Sequence, residues 1–542
     1  MHQARQWWRA AAVYAGITLV FVSPLIDYRH LADASYEGDA RLLIWTLAWD
    51  AHALLNGQSL FDANMFHPAP RALTWTEHHA GVALFAFPIY ATTSNPVLAY
   101  WVIWLLSFPL NALAMHALAW RLVRDHRAAM VAGIVYAFCF FRMHHAHGHV
   151  QLLWTWALPL IPLAMEGWFR RPTAGRTALL TCLVLVQALT TWYLAVFAAL
   201  LSLVTFTLLV RDHRLSGAHL GRGAVAIACA AAVLAWFARP YFALQTPGVS
   251  EAFESSADLA AYVLPPENTW LGQWLLANTS LKPRWIWGEQ TLYAGLSAIA
   301  LAAVGAWALG RGHPVSLQRV TAAVLIAGAA ALVLSFGPTT SGLAPFDLVA
   351  RLPGMSMLRS PARFALLAMV GVATLAAHGA AFLLARKGRA ARALVPLAAA
   401  AFLLESFVVG FPAGRPMPFP VPEVYRRVSS LPPGAVLSLP SYRGSPEGFR
   451  EADYLYYSTV HWQPIANGFG RHEPLTHRDN LAEMVQFPAP VAINRLRQLG
   501  IRYVVLHTAR DGRLRDAASA ADGQPGIRLV GQFAGDYLYE VT

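Results

Sequence analysis

The feature that most limits the fold of this chain is a series of apolar runs, each about as long as a membrane is thick. Clear examples are residues 96–120, 320–336 and 364–385. A transmembrane helix needs about 20 mainly apolar residues. Only 13% of the 542 residues are charged, whereas soluble domains carry roughly 25%. The sequence therefore predicts a mainly α protein, a polytopic bundle of membrane helices.

The positive charges predict how the chain crosses the membrane. The net charge is +12, but the arginines form short clusters between apolar runs, as the positive-inside rule requires of cytoplasmic loops. This pattern gives about eleven membrane crossings, with the amino terminus cytoplasmic and the carboxyl end extracytoplasmic. No basic patch of the kind that binds nucleic acid stands apart from these loops.

The same pattern divides the chain into two domains. Residues 1–411 form the membrane domain, with a first outer loop at 27–95 and another at 240–290. A proline-rich linker follows residue 411, and residues 412–542 are ordinary in composition. Short buried strands at 435–439 and 503–507, a helix at 488–499 and a terminal hairpin at 529–533 and 537–541 predict a small α/β extracytoplasmic domain.

The first outer loop carries the acidic residues that could act in catalysis. Asp39 could take a proton from a hydroxyl or bind a divalent cation such as Mg²⁺ or Mn²⁺, but it could also cap the helix that follows it. Glu77 and His78 could supply a second acid or a metal ligand, or only cap the next apolar run. Asp50 lies roughly 16 Å along the helix from Asp39, so the two carboxylates cannot bind one ion directly. Asp50 and His52 could instead form a structural hydrogen-bonded group or line the site that binds the acceptor.

Three arginines are candidates for binding a phosphate. Arg359 and Arg363 stand outside against the positive-inside trend, which either phosphate binding or contact with outer lipid headgroups would explain. Arg142 begins a histidine-rich stretch with His144, where anion contact and metal binding are both open. In the carboxyl-terminal domain, Trp462 and Asn467 could contact a sugar or a peptide. They could equally belong to a glycine-containing turn that packs on the rest of the protein.

Several of these stretches carry a resemblance to a known superfamily. GDARLLIWTLAWDAHALL, LFDANMFHPAP, TEHHAG, FRMHHAHGHVQLL, LRSPARF and HWQPIANGFG resemble bacterial multi-span proteins grouped with the GT-C glycosyltransferases. That superfamily includes protein mannosyltransferases, oligosaccharyltransferases and the lipid A aminoarabinose transferase. In it, an acid of the first outer loop acts as base or metal ligand. Asp39 matches that position, although Ala40 replaces the second acid of the mannosyltransferases.

The resemblance implies a membrane glycosyltransferase that uses a polyprenyl-phosphate sugar as donor and inverts the configuration at the anomeric carbon. The acceptor would be a glycan, a lipid or a protein, and the carboxylates and arginines would meet at the lipid–water boundary. A transporter or flippase for lipid-linked glycans is the main alternative, and it predicts mid-membrane charges and an inverted repeat. A non-catalytic scaffold would make the charges of the first outer loop dispensable.

Overall fold

The structure is a computed structural model that describes most of the chain. Most of the predicted proline-rich linker lies outside the described residues. These are 2–23, 34–35, 38–243, 255–280, 289–313, 315–339, 342–352, 354–355, 358–386, 388–408, 417–418, 420–470 and 472–542.

Contacts between residues divide the chain into two compact units. The helical unit comprises Met1–Tyr28, Ile103–Phe237 and Pro247–Arg415. The sheet unit comprises Arg29–Val102, Ala238–Thr246 and Pro416–Thr542. The first outer loop thus groups with the carboxyl-terminal residues, whereas the sequence placed it in a domain ending at residue 411. The expected division into a membrane domain, 1–411, and an extracytoplasmic domain, 412–542, stays a prediction.

The described part of the helical unit consists of helices joined by short connections. Helix Pro96–Val123 is divided between the two units, because its first residues belong to the sheet unit. The others are His2–Val22, His126–Ala137, Phe140–His145, Val150–Leu153, Leu160–Arg170, Ala174–Ala188, Trp192–Leu209, Gly217–Ala238, Leu259–Val263, Trp270–Asn278, Leu296–Gly310, Gln318–Ser335, Pro345–Ala350, the 3₁₀ turn Pro361–Phe364, Ala365–Ala385 and Arg389–Ser406.

Five of the described helices are long and apolar enough to cross a membrane. The apolar run 177–210 is divided between two helices, Ala174–Ala188 and Trp192–Leu209. The expected count of about eleven crossings stays a prediction. The five helices are Pro96–Val123, Trp192–Leu209, Gly217–Ala238, Gln318–Ser335 and Pro361–Ala385.

Helix Ala365–Ala385 is the centre of the helical unit. It packs against its neighbours through glycines that allow the backbones to touch, as small residues do between membrane helices. A Cβ added at Gly379 would lie 2.0 Å from the Leu301 carbonyl oxygen, and one at Gly371 would lie 3.4 Å from the Gly328 Cα.

The sheet unit contains the two described sheets. A small one pairs β1 (Ala34–Ser35) with β2 (Met417–Pro418). The larger has β3 (Ala435–Leu439), β4 (Ile501–His507), β5 (Ile527–Phe533) and β6 (Asp536–Val541) in the order β3-β4-β6-β5. Strands β3 and β4 are parallel, with Val436 opposite Tyr503, and the other two pairs are antiparallel.

The α/β prediction for the carboxyl-terminal part is confirmed. Both predicted strands, the hairpin and the predicted helix are present, and helices cover the sheet. Its core packs Leu437, Val504 and Leu506 against Leu481, Met484 and Leu496. The helices and 3₁₀ turns of this unit are Asp39–Leu55, Ala72–Trp75, Ala80–Thr93, Tyr241–Ala243, Glu423–Ser429, Gly448–Arg450, Glu451–Ser458, Leu475–Met484, Pro490–Gln498 and Arg513–Ala521.

Helix Asp39–Leu55 is held inside the sheet unit by polar contacts along its length. Arg41 forms an ion pair with Asp453 of helix Glu451–Ser458, and both side chains are buried. The Trp45 indole donates to Asn64 Oδ1 at 3.0 Å, and the Asn64 amide donates to Ser458 Oγ at 3.1 Å. Helix Asp39–Leu55 of the first outer loop is therefore fixed to the carboxyl-terminal part of the chain.

Candidate functional site

Asp39 is the first residue of helix Asp39–Leu55, and its side chain is exposed. Gly38, with φ of 52°, is the residue before the helix, so Asp39 is not the cap that one interpretation of the sequence expected. The positive end of a helix dipole stabilises negative charge in the first turn. Asp39 also interacts electrostatically with the buried phenol of Tyr100. Its carboxylate is thus accessible to solvent at the amino end of this helix.

The other acids of this loop form a second group, within the sheet unit. His78 Nε2 lies 3.1 Å from Asp50 Oδ1, and both side chains are buried. The His78 backbone N–H donates to the Tyr241 hydroxyl at 2.9 Å. Burial raises the pKa of Tyr241, and the charges of Glu77 and Asp50 act in the same direction. Glu77 is only half-buried, so it is the accessible member of a group that Asp50, His78 and Tyr241 support.

His52 and Trp462 contact each other in the sheet unit. Their rings stack with centroids 4.4 Å apart and an interplanar angle of 18°. One face of the indole is therefore occupied by an imidazole, and both side chains are only partly buried. The predicted sugar or peptide contact of Trp462 stays a prediction.

Asn467 is buried and fully engaged in the same unit. Its Oδ1 accepts from the Ser438 N–H at 2.8 Å, and its Nδ2 donates to Ser438 O at 3.0 Å and Glu451 Oε2 at 3.1 Å. These bonds attach the HWQPIANGFG segment to strand β3. The observed role of Asn467 is to position this segment, and its acceptor contact stays a prediction.

Arg363 lies in the helical unit at the beginning of the central apolar helix. Its Nε donates to Glu289 Oε2 at 2.9 Å and its Nη2 to Glu289 Oε1 at 2.5 Å. The guanidinium also lies over the Tyr193 ring, 4.8 Å from its centroid. The side chain of Arg363 is 7% exposed and that of Glu289 is 20% exposed. A two-pronged carboxylate contact of this kind fixes the orientation of the planar guanidinium.

Two histidines of the histidine-rich stretch lie beside this ion pair. His145 Nε2 is 3.6 Å from Glu289 Oε2. Burial lowers the pKa of His144 to about 3, and burial lowers the pKa of His145 as well, so both are neutral near pH 7. Although burial alone would raise the pKa of Glu289, the charge of Arg363 lowers it. The group therefore holds an ionised Glu289 between Arg363 and neutral imidazoles.

Arg142 is placed in the interior of the helical unit. Its Nε donates to Tyr136 O at 2.7 Å, its Nη1 to Leu153 O at 3.3 Å and its Nη2 to Thr155 Oγ1 at 2.6 Å. All three nitrogens bind protein oxygens and the residue is 1% exposed. The structure shows a role in holding its own segment, and the predicted phosphate contact stays a prediction.

Arg359 is partly exposed and lies directly before the turn that carries Arg363. The Ser360 N–H between them donates to the Tyr193 hydroxyl at 2.7 Å. This bond fixes the backbone of the segment that carries both arginines. Of the three predicted phosphate contacts, Arg359 is the most accessible.

Sequence reasoning missed Glu289 as a site residue. It was one of several acids in the polar segment 240–290, and nothing in that segment distinguishes it. Its partner Arg363 lies 74 positions away. Tyr193 and Tyr241 were missed for the same reason, because only the fold brings them to their charged neighbours.

The metal prediction is not supported by a ligand group. Among the residues that the structure describes, no three His, Cys, Asp or Glu side chains are grouped to hold a metal ion. Asp39, Glu77 and His78 remain predicted ligands. The predicted carboxylates belong to the sheet unit and the predicted arginines to the helical unit, so their meeting in one pocket also stays a prediction.

These elements form a GT-C-like fold, similar to that of solved membrane glycosyltransferases. Neither a family model nor a curated protein matches the sequence. Among solved structures, ArnT from Cupriavidus metallidurans, bound to undecaprenyl phosphate, is 13% identical with a TM-score of 0.51. That match covers 98% of this chain and 97% of ArnT.

Part of the mycobacterial arabinofuranosyltransferase AftD has a similar fold. One of its structures gives a TM-score of 0.53 at 17% identity, and a mutant structure gives 0.56 at 16%. These matches cover 99% of this chain but only 40% and 41% of AftD, so the chain spans about two fifths of that relative. The apolar helices and this fold are those of a multi-pass membrane protein.

Proposed function

We propose that this chain is a membrane glycosyltransferase that transfers a sugar from a polyprenyl-phosphate donor to an acceptor at the extracytoplasmic face. The observation that carries the proposal is the pair of arginines at the beginning of an apolar helix, one partly exposed and one held by the partly buried carboxylate of Glu289. The predicted topology puts these arginines at the outer end of a membrane span, where lipid phosphates lie, and arginine suits phosphate because its planar fork matches the phosphate oxygens. The GT-C fold supports the same function by analogy.

The charges of this group favour an anion. Burial keeps His144 and His145 neutral, so Arg363 is the positive charge that faces Glu289, and Arg359 brings a second guanidinium to the same segment. Arg359 offers its guanidinium to the phosphate, and Glu289 fixes the direction of Arg363. As the phosphate leaves, the positive charge stabilises the negative charge that develops on it.

The proposed reaction is a single displacement. The acceptor hydroxyl oxygen forms a bond to the anomeric carbon while the bond from that carbon to the phosphate oxygen breaks, and the electron pair leaves with the phosphate. The hydroxyl proton passes to the carboxylate of Asp39, with Glu77 as the second candidate acid. Attack opposite the leaving group inverts the anomeric configuration. No step uses a metal, and a divalent ion remains a separate prediction.

The proposed setting is a bacterial inner membrane, with the amino terminus cytoplasmic and residues 412–542 extracytoplasmic. The donor reaches the protein from the membrane lipids, and the acceptor is a glycan, a lipid or a protein. Asp50, His52 and His78 support the acceptor side through the contacts described above.

Binding of the lipid tests the donor class. Wild-type protein should retain added undecaprenyl phosphate through purification, as measured by mass spectrometry of extracted lipids. Arg359→Gln should lower the bound fraction roughly tenfold, because a charge-assisted contact is lost. Arg351→Gln is the matched control, since Arg351 is an exposed arginine of the same segment that donates to Gly342 O. Equal retention by wild type and Arg359→Gln would contradict the assignment.

A further inference from the structure

The sheet unit contains a cleft that the proposed transfer does not use. It has a volume of about 700 Å³ and opens beside the carboxyl ends of the parallel strands β3 and β4. Pro440, Ser441 and Arg443 follow β3 along one side, and Asp511 and Arg513 follow β4 along another. Ligands of α/β domains bind at this edge of a parallel sheet.

The inner part of the cleft is apolar. Leu439, Leu481, Phe487 and Leu514 line it, and each of them is buried. Helix Leu475–Met484 supplies another wall. A volume of this size accommodates a small organic molecule, since ligand pockets measure roughly 300–1,000 Å³.

The charged groups of the cleft differ in accessibility. Glu473 accepts from Arg443 Nε at 3.0 Å, and its other oxygen lies 3.5 Å from Arg478 Nη2. Asp511 is held by Arg513 at 2.8 Å. The two carboxylates are each 19% exposed, whereas Arg478 is 83% exposed and Arg513 is 90% exposed.

The charge that meets an approaching molecule is therefore positive. Three arginines face two carboxylates, which leaves one positive charge, and the exposed guanidiniums stand at the mouth while the carboxylates are recessed. Arg478 and Arg513 lie on different helices, so an anion between them can be bound from two sides. Guanidinium groups recognise carboxylate and phosphate through paired hydrogen bonds.

We propose that this cleft is a binding site for a small organic anion: a sugar-sized molecule that carries a phosphate or a carboxylate. The apolar inner part takes the body of the ligand, and Arg478 and Arg513 bind its anionic group. The site belongs to the sheet unit alone, so the proposal does not depend on the transfer reaction.

Calorimetric titration of the purified full-length protein tests the proposal. The ligands are glucose 1-phosphate and glucuronate, with glucose and inorganic phosphate as references. At least one anionic sugar should bind more tightly than both references, and the stronger of the two identifies the anionic group. Arg478→Gln should weaken that binding roughly tenfold.

A stability measurement and a matched control variant separate a loss of binding from a loss of folding. Arg478 is 83% exposed, so its substitution should leave the melting temperature unchanged. Arg426→Gln is the matched control, because Arg426 is an exposed arginine of the same unit that does not line the cleft. The proposal is wrong if neither anionic sugar binds more tightly than both glucose and inorganic phosphate, or if Arg478→Gln binds like the wild type.

Discussion

At the scale of single residues, burial determines the charge of several histidines. His477 lies on helix Leu475–Met484, is buried, and meets the Phe66 ring edge-on with centroids 4.9 Å apart. Burial lowers its pKa, the charge of Glu473 opposes this shift and the charge of Arg443 adds to it, so that the resulting pKa is about 4. The folded protein thus binds a proton at His477 less readily than the unfolded chain does.

This difference predicts a loss of stability in acid. An unfolded histidine titrates near pH 6.5. The stability due to neutral His477 is fully present above that value and falls as the pH drops from about 6.5 to about 4. At pH 5 the loss is about 2 kcal/mol. His477→Gln should flatten the dependence of the melting temperature on pH between 7.5 and 5, and equal slopes for variant and wild type would contradict the shift.

Residues next to one another in sequence could be assigned roles more readily than distant ones. Asp39 could be chosen because it belongs to the first outer loop and stands at the start of an apolar helix. The contact of His78 with Asp50 could not be predicted, because a helix end and a turn separate them. Glu289 was hidden for the same reason, since its function is defined by Arg363, on another segment. Sequence reasoning recognised the charged residues but not their partners.

At the scale of elements, the central helix Ala365–Ala385 depends on glycine contacts. Gly379 packs against the backbone of helix Leu296–Gly310, where an added Cβ would be 2.0 Å from Leu301 O and 3.0 Å from Gly305 N. Both of those atoms belong to the backbone and cannot rotate away. The two helices must therefore separate if any side chain is introduced.

Gly379→Ala should lower the free energy of unfolding by about 2 kcal/mol, the usual penalty for overpacking. Chemical denaturation in detergent measures it. Gly310→Ala is the control, because nothing lies within 4 Å of a Cβ at that position. The control should change stability by no more than about 0.5 kcal/mol. Equal stability of the two variants would show that the close helix contact is wrong.

The elements themselves could be predicted where the pattern is strong. The spacing of apolar residues within a single segment indicates whether it forms a helix or a strand. Helix Asp39–Leu55, strand β3 and the β5–β6 hairpin could therefore be predicted. Helix Glu451–Ser458 was not, because its sequence EADYLYYS has no clear apolar face. It is stabilised by tertiary contacts such as the Arg41–Asp453 ion pair, which no local pattern contains.

At the scale of the whole molecule, the arginine clusters predict the topology. Clusters at 121–127, 170–176 and 386–392 fall on one side under the predicted crossings, and that side is cytoplasmic by the positive-inside rule. Alkaline phosphatase fused after Thr542 should be active, because it folds outside the cytoplasm. A green fluorescent protein fused before Met1 should fluoresce. A phosphatase fusion that is expressed normally but inactive would contradict the predicted orientation.

The most direct test of glycosyl transfer is the chemistry itself. Purified protein in liposomes receives polyprenyl-phosphate sugars extracted from bacterial membranes together with a cell-envelope fraction as acceptor. Mass spectrometry then measures the polyprenyl phosphate released. Asp62→Asn is the matched control, since Asp62 accepts from the Arg71 N–H within a local turn of the same loop. Wild type and control should release polyprenyl phosphate, and Asp39→Asn should do so roughly a hundredfold more slowly. Release by Asp39→Asn at the wild-type rate, or no release by the wild type, would contradict the proposed enzyme.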